Sequence, residues 1–379
     1  MKITDVRTYA CFEPFDSVYY SGLGKLTGRD VLIIVIDTDT DISGYSYVTG
    51  LQKLNGAEIK TIDCIIREGF RDELLGEDPL CNEYLWKKCY RNSVRFGRKG
   101  AVVRALSGID IALWDIKGKS AKMPLHQLLG GFMKTVPVYM SGGHYSDGVD
   151  PIDSIRREMQ NYVEKGFRAV KIRVGRASLS EDTKRIEAAR TVLGDDALLM
   201  VDAGESMDYM TAYQAAQMWK PYHLYWFEEP LPTDQADMLR QLRIKTDIPI
   251  ALGENEYTRY GFRDMIDGAT VDIIQPDVTR VGGITEWIKI SHYASAKGIK
   301  VAPHGIQEVH AALAAAVDNF LILEYTPTTY HMQTFIDRLF LKPTETKTLD
   351  SNGRLPMPTG FGIGLEIDWD LVKKTAQNK

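Results

Sequence analysis

Ionisable residues close a series of short apolar segments in the second half of the chain. The members are Asp202, Glu228, Glu254, Asp277 and His304, and successive members lie 23 to 27 residues apart. Helical patterns fill the intervals, so each interval corresponds to one strand and one helix. The carboxyl ends of parallel strands surround the mouth of a (β/α)8 barrel, where enzymes of this fold carry their catalytic residues. The spacing therefore predicts a cluster of reactive side chains at a barrel mouth.

Three of these residues predict a metal site. Asp202, Glu228 and Glu254 close three consecutive predicted strands, so we expect their carboxylates to converge. Three carboxylates repel one another strongly in a pocket of low dielectric constant unless a cation neutralises them. Ligation by oxygen alone favours a hard cation, and Mg²⁺ is the usual one where water and substrate oxygens complete an octahedron. Glu229 points the other way along its strand, as either a further ligand or a supporting neighbour.

Basic groups are predicted on both sides of this metal site. Lys171 and Arg173 lie two residues apart on one strand and therefore face the same way, on one wall of the mouth. His304 closes the seventh strand, on the opposite wall. Asp277 closes the sixth strand, where it can hydrogen-bond one imidazole nitrogen and raise the basicity of the other. This arrangement predicts His304 as an acid/base and Asp277 as its partner.

Two further residues at strand ends are candidates for contact with a substrate. Glu324 ends the eighth strand, where a protonated carboxyl group could hydrogen-bond a substrate carboxylate; a salt bridge is the competing interpretation. His144 follows two glycines at the end of the first strand, and the glycines leave room for a ligand.

Hydrophobic periodicity indicates which elements position these residues. Eight apolar runs separated by helical patterns predict parallel strands covered on both faces, at residues 136–141, 168–174, 197–203, 223–228, 249–254, 271–276, 299–303 and 320–324. We therefore predict an α/β protein, a modified TIM (β/α)8 barrel at 131–344. An N-terminal α+β capping domain at 1–130 precedes it, and a tail at 345–379 is expected to pack on the capping domain.

The capping domain is predicted to contain an antiparallel meander, two helices and two polar loops. The meander turns near Asp39–Asp41. One helix has Ile59, Ile62 and Ile66 on one face, and a second, strongly apolar helix ends near Gly118. The first loop, residues 17–29, carries four candidate substrate-binding residues, Tyr19, Tyr20, Lys25 and Arg29. The second loop, from about residue 48 to 55, carries Gln52 and Lys53. Such donors and acceptors suit a hydroxyl-rich sugar acid better than an aryl substrate.

Composition narrows the possible partners and the compartment. A net charge of −5 provides no basic field for nucleic acid or an anionic membrane, and no apolar run approaches the roughly 20 residues of a membrane span. The first residues alternate like a strand and lack a secretory apolar core. Four cysteines without a CxxC pair favour free thiols. We therefore expect a cytoplasmic protein that acts on a small molecule.

These motifs together resemble the enolase superfamily, and specifically its mandelate racemase subgroup. The resemblance covers nearly the whole chain. It includes the helix at 108–131, the KxR pair, the Asp–Glu–Glu set, FEEP, GEN, QPD, Gly282–Gly283, PH and the closing GFGIGLEID. It implies a Lys or His base that removes the proton α to a carboxylate, with Mg²⁺ stabilising the resulting enediolate. It also implies a homo-oligomer.

One departure from this pattern bears on the reaction. The resemblance implies KxK with the second lysine as a base, but this chain has Arg173, whose pKa is too high for a base at neutral pH. Racemisation needs a competent acid/base on both faces of the carbon, whereas His304 alone can run a dehydration. The sequence therefore predicts a Mg²⁺-dependent acid-sugar (aldonate or aldarate) dehydratase, a hydro-lyase. A racemase, epimerase or cycloisomerase is the alternative, and a non-catalytic metal or sugar-acid binding protein is a third hypothesis.

Overall fold

A computed structural model describes residues 1–22, 24–51, 54–327, 330, 332–341 and 348–377. The predicted Gln52 and Lys53 lie outside the described residues. Within the described ranges, no helix is both long enough and apolar enough to cross a membrane.

The N-terminal part is an antiparallel sheet backed by helices. Its elements are β1 (Ile3–Ser21), β2 (Gly24–Thr38), β3 (Ser43–Gly50), α1 (Ala57–Cys64), α2 (Arg71–Leu74), α3 (Asn82–Asn92), α4 (Ala101–Ala121) and α5 (Leu125–Leu128). Consecutive residues of β2 enter two different cores, because strand side chains alternate. Leu32 and Ile34 face the helices, whereas Val31 and Ile33 face the barrel side. This explains the unbroken apolar run in β2.

Two predictions for this part are wrong in detail. Residues 17–29 were expected to form a loop, but β1 and β2 continue through them as a hairpin in which Tyr19 pairs with Leu26. The glycine-rich, polar composition indicated a loop, but these residues form the end of a hairpin that extends beyond the core of the sheet. The helix at 108–131 that the resemblance implied is also interrupted: α4 ends at Ala121, close to the end predicted near Gly118, because Lys122 adopts a left-handed conformation and Pro124 follows.

The second part is the predicted (β/α)8 barrel. Its strands are β4 (Thr135–Gly142), β6 (Ala169–Arg173), β7 (Leu198–Asp202), β8 (Phe227–Glu228), β9 (Ile250–Leu252), β10 (Ile273–Ile274), β11 (Lys300–Val301) and β12 (Leu323–Tyr325). The short β5 (Tyr145–Ser146) follows β4 in the chain but pairs antiparallel with β1 in the N-terminal sheet. The helices of the barrel are α6 (Pro151–Glu164), α7 (Leu179–Leu193), α8 (Tyr209–Trp219), α9 (Ala236–Lys245), α10 (Thr258–Asp267), α11 (Gly283–Ala296), α12 (Gln307–Ala314) and α13 (Thr334–Arg338). The eight predicted strands are confirmed, although most are shorter than expected.

The strands form one parallel ring in the order β11-β10-β9-β8-β7-β6-β4-β12. A parallel bridge between Val301 and Phe320 joins the first and last members. The ring encloses one apolar side chain from each strand or its flank, namely Tyr139, Ala169, Met200, Trp226, Ala251, Ile273, Ala302 and Ile322. This filled interior makes the barrel a rigid support for the strand ends.

The C-terminal segment contacts both parts. β13 (Arg354–Pro356) pairs antiparallel with β4, a pairing that the sequence did not indicate. α14 (Trp369–Thr375) lies on β1, where the rings of Trp369 and Tyr9 are 5.4 Å apart in an edge-on contact. The segment therefore joins the barrel-side face of the N-terminal sheet to the barrel.

The long helix α4 fixes the N-terminal part on the barrel. Asp110 of α4 accepts hydrogen bonds from the backbone N–H and the hydroxyl of Thr285, at 2.8 Å and 2.6 Å. Gly283, at the start of α11, has a φ of 84°, and a Cβ there would lie 2.5 Å from Asp110. The glycine that the sequence singled out at this position therefore permits close approach of the two parts.

Candidate active site

The three predicted metal ligands meet at the barrel mouth. Asp202 and Glu228 are the last residues of β7 and β8 and lie opposite each other in parallel register. Glu254 follows β9 after Gly253, whose φ of 135° turns the chain at that point. The carboxylates of Asp202, Glu228 and Glu254 each offer an oxygen, and these oxygens all lie within 4.8 Å of one another. The three carboxylates that were predicted from the spacing of the strand ends therefore lie close together in space.

Buried hydrogen bonds hold Glu228 in place. Its Oε2 accepts from the indole N–H of Trp226 at 2.9 Å and from the side-chain amide of Gln275 at 2.7 Å. Its Oε1 lies 2.5 Å from Lys171 Nζ. Sequence reasoning assigned no role to Trp226 or Gln275, although Gln275 belongs to the QPD motif and Trp226 directly precedes FEEP. Both immediately flank strands that carry site residues, which was the available signal.

The donor set fits a small divalent cation. Octahedral Mg²⁺ with bonds of roughly 2.0–2.1 Å places its ligand oxygens about 2.9 to 4.2 Å apart. The observed upper limit of 4.8 Å is close to this range, so small side-chain rotations suffice. Asp202 and Glu228 are buried and Glu254 is partly buried. Asp202, Glu228 and Glu254 would therefore hold the ion, with water or substrate oxygens completing its shell.

Two cations share one wall of the mouth with these carboxylates. Lys171 Nζ lies 3.3 Å from Asp202 and 3.2 Å from Glu324, in addition to its contact with Glu228. Burial opposes charge on Lys171, but Glu228 and Glu324 outweigh it and raise its pKa. Arg173 contacts Asp202 and lies 3.9 Å from Glu324. In this arrangement both residues are paired cations, and neither is a neutral base.

His304 and Asp277 form the predicted hydrogen-bonded pair. His304 Nδ1 lies 2.9 Å from Asp277 Oδ2, and Arg280 Nε lies 3.3 Å from the same oxygen. The other oxygen accepts from the backbone N–H and hydroxyl of Thr279, both at 2.7 Å. Burial opposes ionisation of Asp277, but the bond to His304 and the charge of Arg280 hold its pKa well below the usual value. The carboxylate therefore fixes the imidazole with Nε2 directed toward Glu254, 3.2 Å away.

A second histidine, which the sequence analysis did not identify, holds the two loops that carry this pair. His310 Nδ1 donates to the carbonyl oxygen of Gly305 at 2.7 Å, and its Nε2 accepts from the N–H of Val278 at 3.0 Å. These partners adjoin His304 and Asp277. Burial lowers the pKa of His310 to about 4, so the ring stays neutral and can both donate and accept. No motif in the sequence signals this contact.

Arg280 was also missed, although it lies three residues after Asp277. Besides Asp277, it contacts Glu254 at 3.2 Å and donates to the side-chain oxygen of Asn255 at 3.0 Å. Asn255 in turn donates to both oxygens of Glu229, at 3.1 Å and 3.0 Å. Burial and the charge of Glu254 raise the pKa of Glu229. Of its two predicted roles, the structure places Glu229 as a supporting neighbour behind Glu254.

Glu324 and His144 occupy the wall near the end of the ring. Of the two interpretations of Glu324, its ion pairs with Lys171 and Arg173 favour the salt bridge, and its contact with a substrate carboxylate stays a prediction. Burial favours protonation, but Lys171, His304 and Arg173 lower the pKa of Glu324 below its usual value, and the carboxylate accepts from the N–H of Gly305 at 2.8 Å. His144 Nδ1 lies 2.5 Å from the hydroxyl of Tyr330, and both residues line the mouth.

The hairpin of β1 and β2 covers the mouth, and only part of its predicted set faces inward. A cavity of about 300 Å³ is lined by Arg29, Leu26, Glu254 and His304 among others. Tyr19 lines a separate, adjacent cavity beside His144. Tyr20 and Lys25 pair across the hairpin on its other face. Tyr20 donates to Asp147 at 2.7 Å, and Lys25 is exposed. Neither Tyr20 nor Lys25 lines the mouth cavity in this structure, and their contact with a substrate stays a prediction.

The fold and this mouth define an enolase-like barrel enzyme. Residues 154–371 match the family model described as enolase C-terminal domain-like, and residues 21–130 match the mandelate racemase / muconate lactonizing enzyme N-terminal domain. The chain therefore belongs to the mandelate racemase/muconate lactonizing enzyme family.

Relatives with known names include dehydratases and a cycloisomerase. Arabinonate dehydratase of Saccharolobus solfataricus is 33% identical over 374 residues, covering 96% of each chain. D-galactarolactone cycloisomerase of Agrobacterium fabrum is 32% identical, covering 98% of each. Among solved structures, L-talarate/galactarate dehydratase of Salmonella typhimurium, liganded with Mg and L-lyxarohydroxamate, superposes with a TM-score of 0.87 at 30% identity. That match covers 99% of this chain and 93% of the other.

Proposed function

We propose that this protein is a Mg²⁺-dependent acid-sugar dehydratase that converts a polyhydroxy acid to its 2-keto-3-deoxy product. One observation carries the proposal: the wall of His304 and Asp277 presents an imidazole nitrogen to the carboxylate triplet, whereas Lys171 and Arg173 on the other wall are paired cations. The site thus has one competent acid/base. The named dehydratases among the relatives support the same reaction class.

The proposed reaction uses the imidazole twice. His304 Nε2 takes the proton from C2 of the substrate, and the C–H electron pair passes into the carboxylate to give an enediolate. The imidazolium then gives its proton to the hydroxyl on C3, which departs as water while the C2–C3 double bond forms. The resulting enol tautomerises to the 2-keto acid. Asp277 retains the hydrogen bond to Nδ1 throughout, so it orients the ring and stabilises its charged form.

The charged groups of the opposite wall serve substrate binding. Asp202, Glu228 and Glu254 would hold Mg²⁺, which would supply electrostatic stabilisation of negative charge on the substrate carboxylate. Lys171 and Arg173 would place two further positive charges beside that carboxylate and orient it. Because these cations already lie among Asp202, Glu228 and Glu324, they require no reorganisation when charge develops.

An isomerase is the second candidate, and its support is the cycloisomerase relative that covers 98% of both chains. The two candidates give different products. We would incubate the protein and Mg²⁺ with a panel of aldonates and aldarates and measure 2-keto acid as the semicarbazone. Proton exchange at C2 would be followed in D₂O by NMR. Keto-acid formation supports the dehydratase, whereas exchange at C2 without keto acid would refute it.

Metal dependence provides a control within the same assay. Glu228→Gln removes one ligand charge and should weaken Mg²⁺ binding and abolish turnover, because the remaining two carboxylates hold the ion less tightly. Isothermal titration calorimetry with Mg²⁺ measures the first effect without any substrate. Full activity in EDTA-treated protein would contradict the proposed metal role.

Localisation and assembly are part of the proposal. The free thiols Cys11, Cys64, Cys81 and Cys89 are compatible with the cytoplasm. A homo-oligomer follows from the family resemblance, and light scattering after size-exclusion chromatography would measure its order.

A further inference from the structure

The roof of the mouth contains a cation with an unusual environment. Four arginines line the mouth cavity among the described residues: Arg29, Arg104, Arg173 and Arg280. Three of them form ion pairs with carboxylates, in the pairs Arg104–Glu58, Arg173–Asp202 and Arg280–Glu254. Arg29 has no carboxylate within ion-pair distance in the part of the chain that the structure describes.

The contacts of Arg29 leave most of its guanidinium available. Nε donates to the carbonyl oxygen of Met332 at 3.0 Å, which fixes the side chain against the segment that follows β12. The two terminal nitrogens have no acceptor among the described residues. Burial, and to a smaller degree the charge of Arg280, lower the pKa of Arg29 to about 10, so the group is still charged at neutral pH. A partly buried cation of this kind gains most from an anionic partner.

The neighbouring carboxylate does not provide that partner. Asp30 follows Arg29 directly in β2 and therefore projects from the other face of the strand, where its Cβ lies against Gly50. Burial raises the pKa of Asp30 to about 6, and the charges of Lys60 and Arg29 offset this only in part. The charge of Arg29 is thus directed into the mouth.

We infer that Arg29 binds a second carboxylate of the substrate, so that the preferred substrates are aldarates, acid sugars with a carboxylate at each end. This inference rests on the proposed function and names its substrate class. The reacting carboxylate belongs with the cations of the barrel floor, so the charge in the roof serves the other end of the molecule. A guanidinium binds a carboxylate through two parallel hydrogen bonds, whereas a terminal hydroxyl leaves the charge uncompensated.

The test uses pairs of acids that differ only at the far end. Gluconate and glucarate, galactonate and galactarate, and xylonate and xylarate share their configuration but have a hydroxymethyl group or a carboxylate there. The wild-type kcat/KM should favour the aldarate of the accepted pair by on the order of 100-fold. Arg29→Met should remove that preference by lowering aldarate turnover while changing aldonate turnover less than about threefold. Arg29→Lys should recover part of it.

A matched variant controls for net charge. Lys184 is exposed on α7, and Lys184→Met removes the same charge without altering the mouth, so both substrate classes should keep their wild-type kcat/KM. Binding is measured separately by calorimetry in the His304→Asn background with Mg²⁺, where turnover is not required. There, Arg29→Met should weaken aldarate binding by a factor similar to the loss in kcat/KM.

The outcomes separate this inference from the proposed function. Keto acid from aldonates at a rate equal to or above that from aldarates would overturn the role of Arg29 and leave the dehydratase intact. Aldarate binding that depends on Arg29, without keto acid in the wild type, would support the subsite and refute the dehydratase. Aldarate affinity that is unchanged in Arg29→Met would show a solvated surface cation and overturn the inference.

Discussion

Replacing Asp277 by asparagine tests the acid/base pair most directly. Oδ2 of Asp277 accepts from His304 Nδ1 at 2.9 Å and lies 3.3 Å from Arg280 Nε, while Oδ1 accepts twice from Thr279. In Asp277→Asn, the amide oxygen can keep the Thr279 contacts. The amide nitrogen then faces His304 and Arg280, and it cannot accept a hydrogen bond from either. The neutral imidazole of His304 is then expected to adopt the tautomer with its proton on Nε2, the atom that must act as the base.

The size of the effect follows from these contacts. A hydrogen bond between charged groups contributes about 1.5–3 kcal/mol, which corresponds to roughly 10- to 150-fold in rate. The reversed tautomer adds to this loss, and the same replacement in the Ser-His-Asp triad costs about 10⁴-fold. We therefore expect kcat to fall by about 10²- to 10⁴-fold with a smaller change in KM. Loss of the base itself in His304→Asn should abolish both keto-acid formation and C2 exchange.

The assay compares keto-acid formation and C2 exchange in wild type, Asp277→Asn and a matched control. Asp272 lies at the other end of the same strand segment, pairs with Arg243 at 2.7 Å and accepts from the N–H of Ile250 at 2.9 Å. Asp272→Asn makes the identical chemical change outside the mouth and should leave kcat within about threefold of wild type. An Asp277→Asn enzyme with wild-type kcat would refute the orienting role. Wild-type C2 exchange in His304→Asn would identify Lys171 or Arg173 as the base.

Three further predictions concern other residues. His310→Leu removes the hydrogen-bond partner of the Gly305 carbonyl and of the Val278 N–H, so it should lower kcat with KM nearly unchanged. His310→Gln can still donate and accept, so it should recover most of the loss. Steady-state kinetics measure the effect on catalysis, and urea midpoints measure the effect on stability. Arg173→Lys should retain dehydration and add C2 exchange from the opposite face, detectable by NMR in D₂O, because lysine can lose its proton more readily. Burial raises the pKa of Asp110 from 3.8 to about 7. The folded state thus retains a proton that the unfolded state releases, and stability should fall as pH rises from about 4 to 7. Asp110→Asn should remove about 2 to 3 kcal/mol of the change between pH 5 and 7.5, measured by urea unfolding; equal pH dependence in both proteins would contradict it.

The residues at the strand ends could be predicted from the sequence because each one is positioned by its own strand and the helix that follows it. A strand followed by a helix returns the chain to the same end of the barrel, so Asp202, Glu228 and His304 had to arrive together once the strands were identified. The alternation of side chains placed Lys171 and Arg173 on one wall for the same reason. The period of the apolar segments was therefore sufficient to predict which of these residues lie together.

The remaining parts depend on contacts between distant segments. The hairpin at 17–29 could not be distinguished from a loop, since its polar residues gain their pairing only from the register Tyr19–Leu26. Residues four apart on a regular strand share a face, so alternation alone did not separate Arg29, which lines the cavity, from Lys25, which is exposed. His310 has an ordinary position at the start of an alanine-rich helix, and its role appears only where Val278 and Gly305 approach it.

The contact between α14 and β1 has a consequence for synthesis on the ribosome. Cys11, near the start of the chain, forms an antiparallel bridge with Ala376, and Trp369 packs on Tyr9. Translation proceeds at about 5–20 residues per second, so β1 leaves the ribosome long before its covering helix exists. The part of β1 that α14 covers is therefore expected to stay exposed until α14 has been made. Chains truncated before α14 should therefore leave Tyr9 and Cys11 uncovered and depend more on chaperones than the full sequence does.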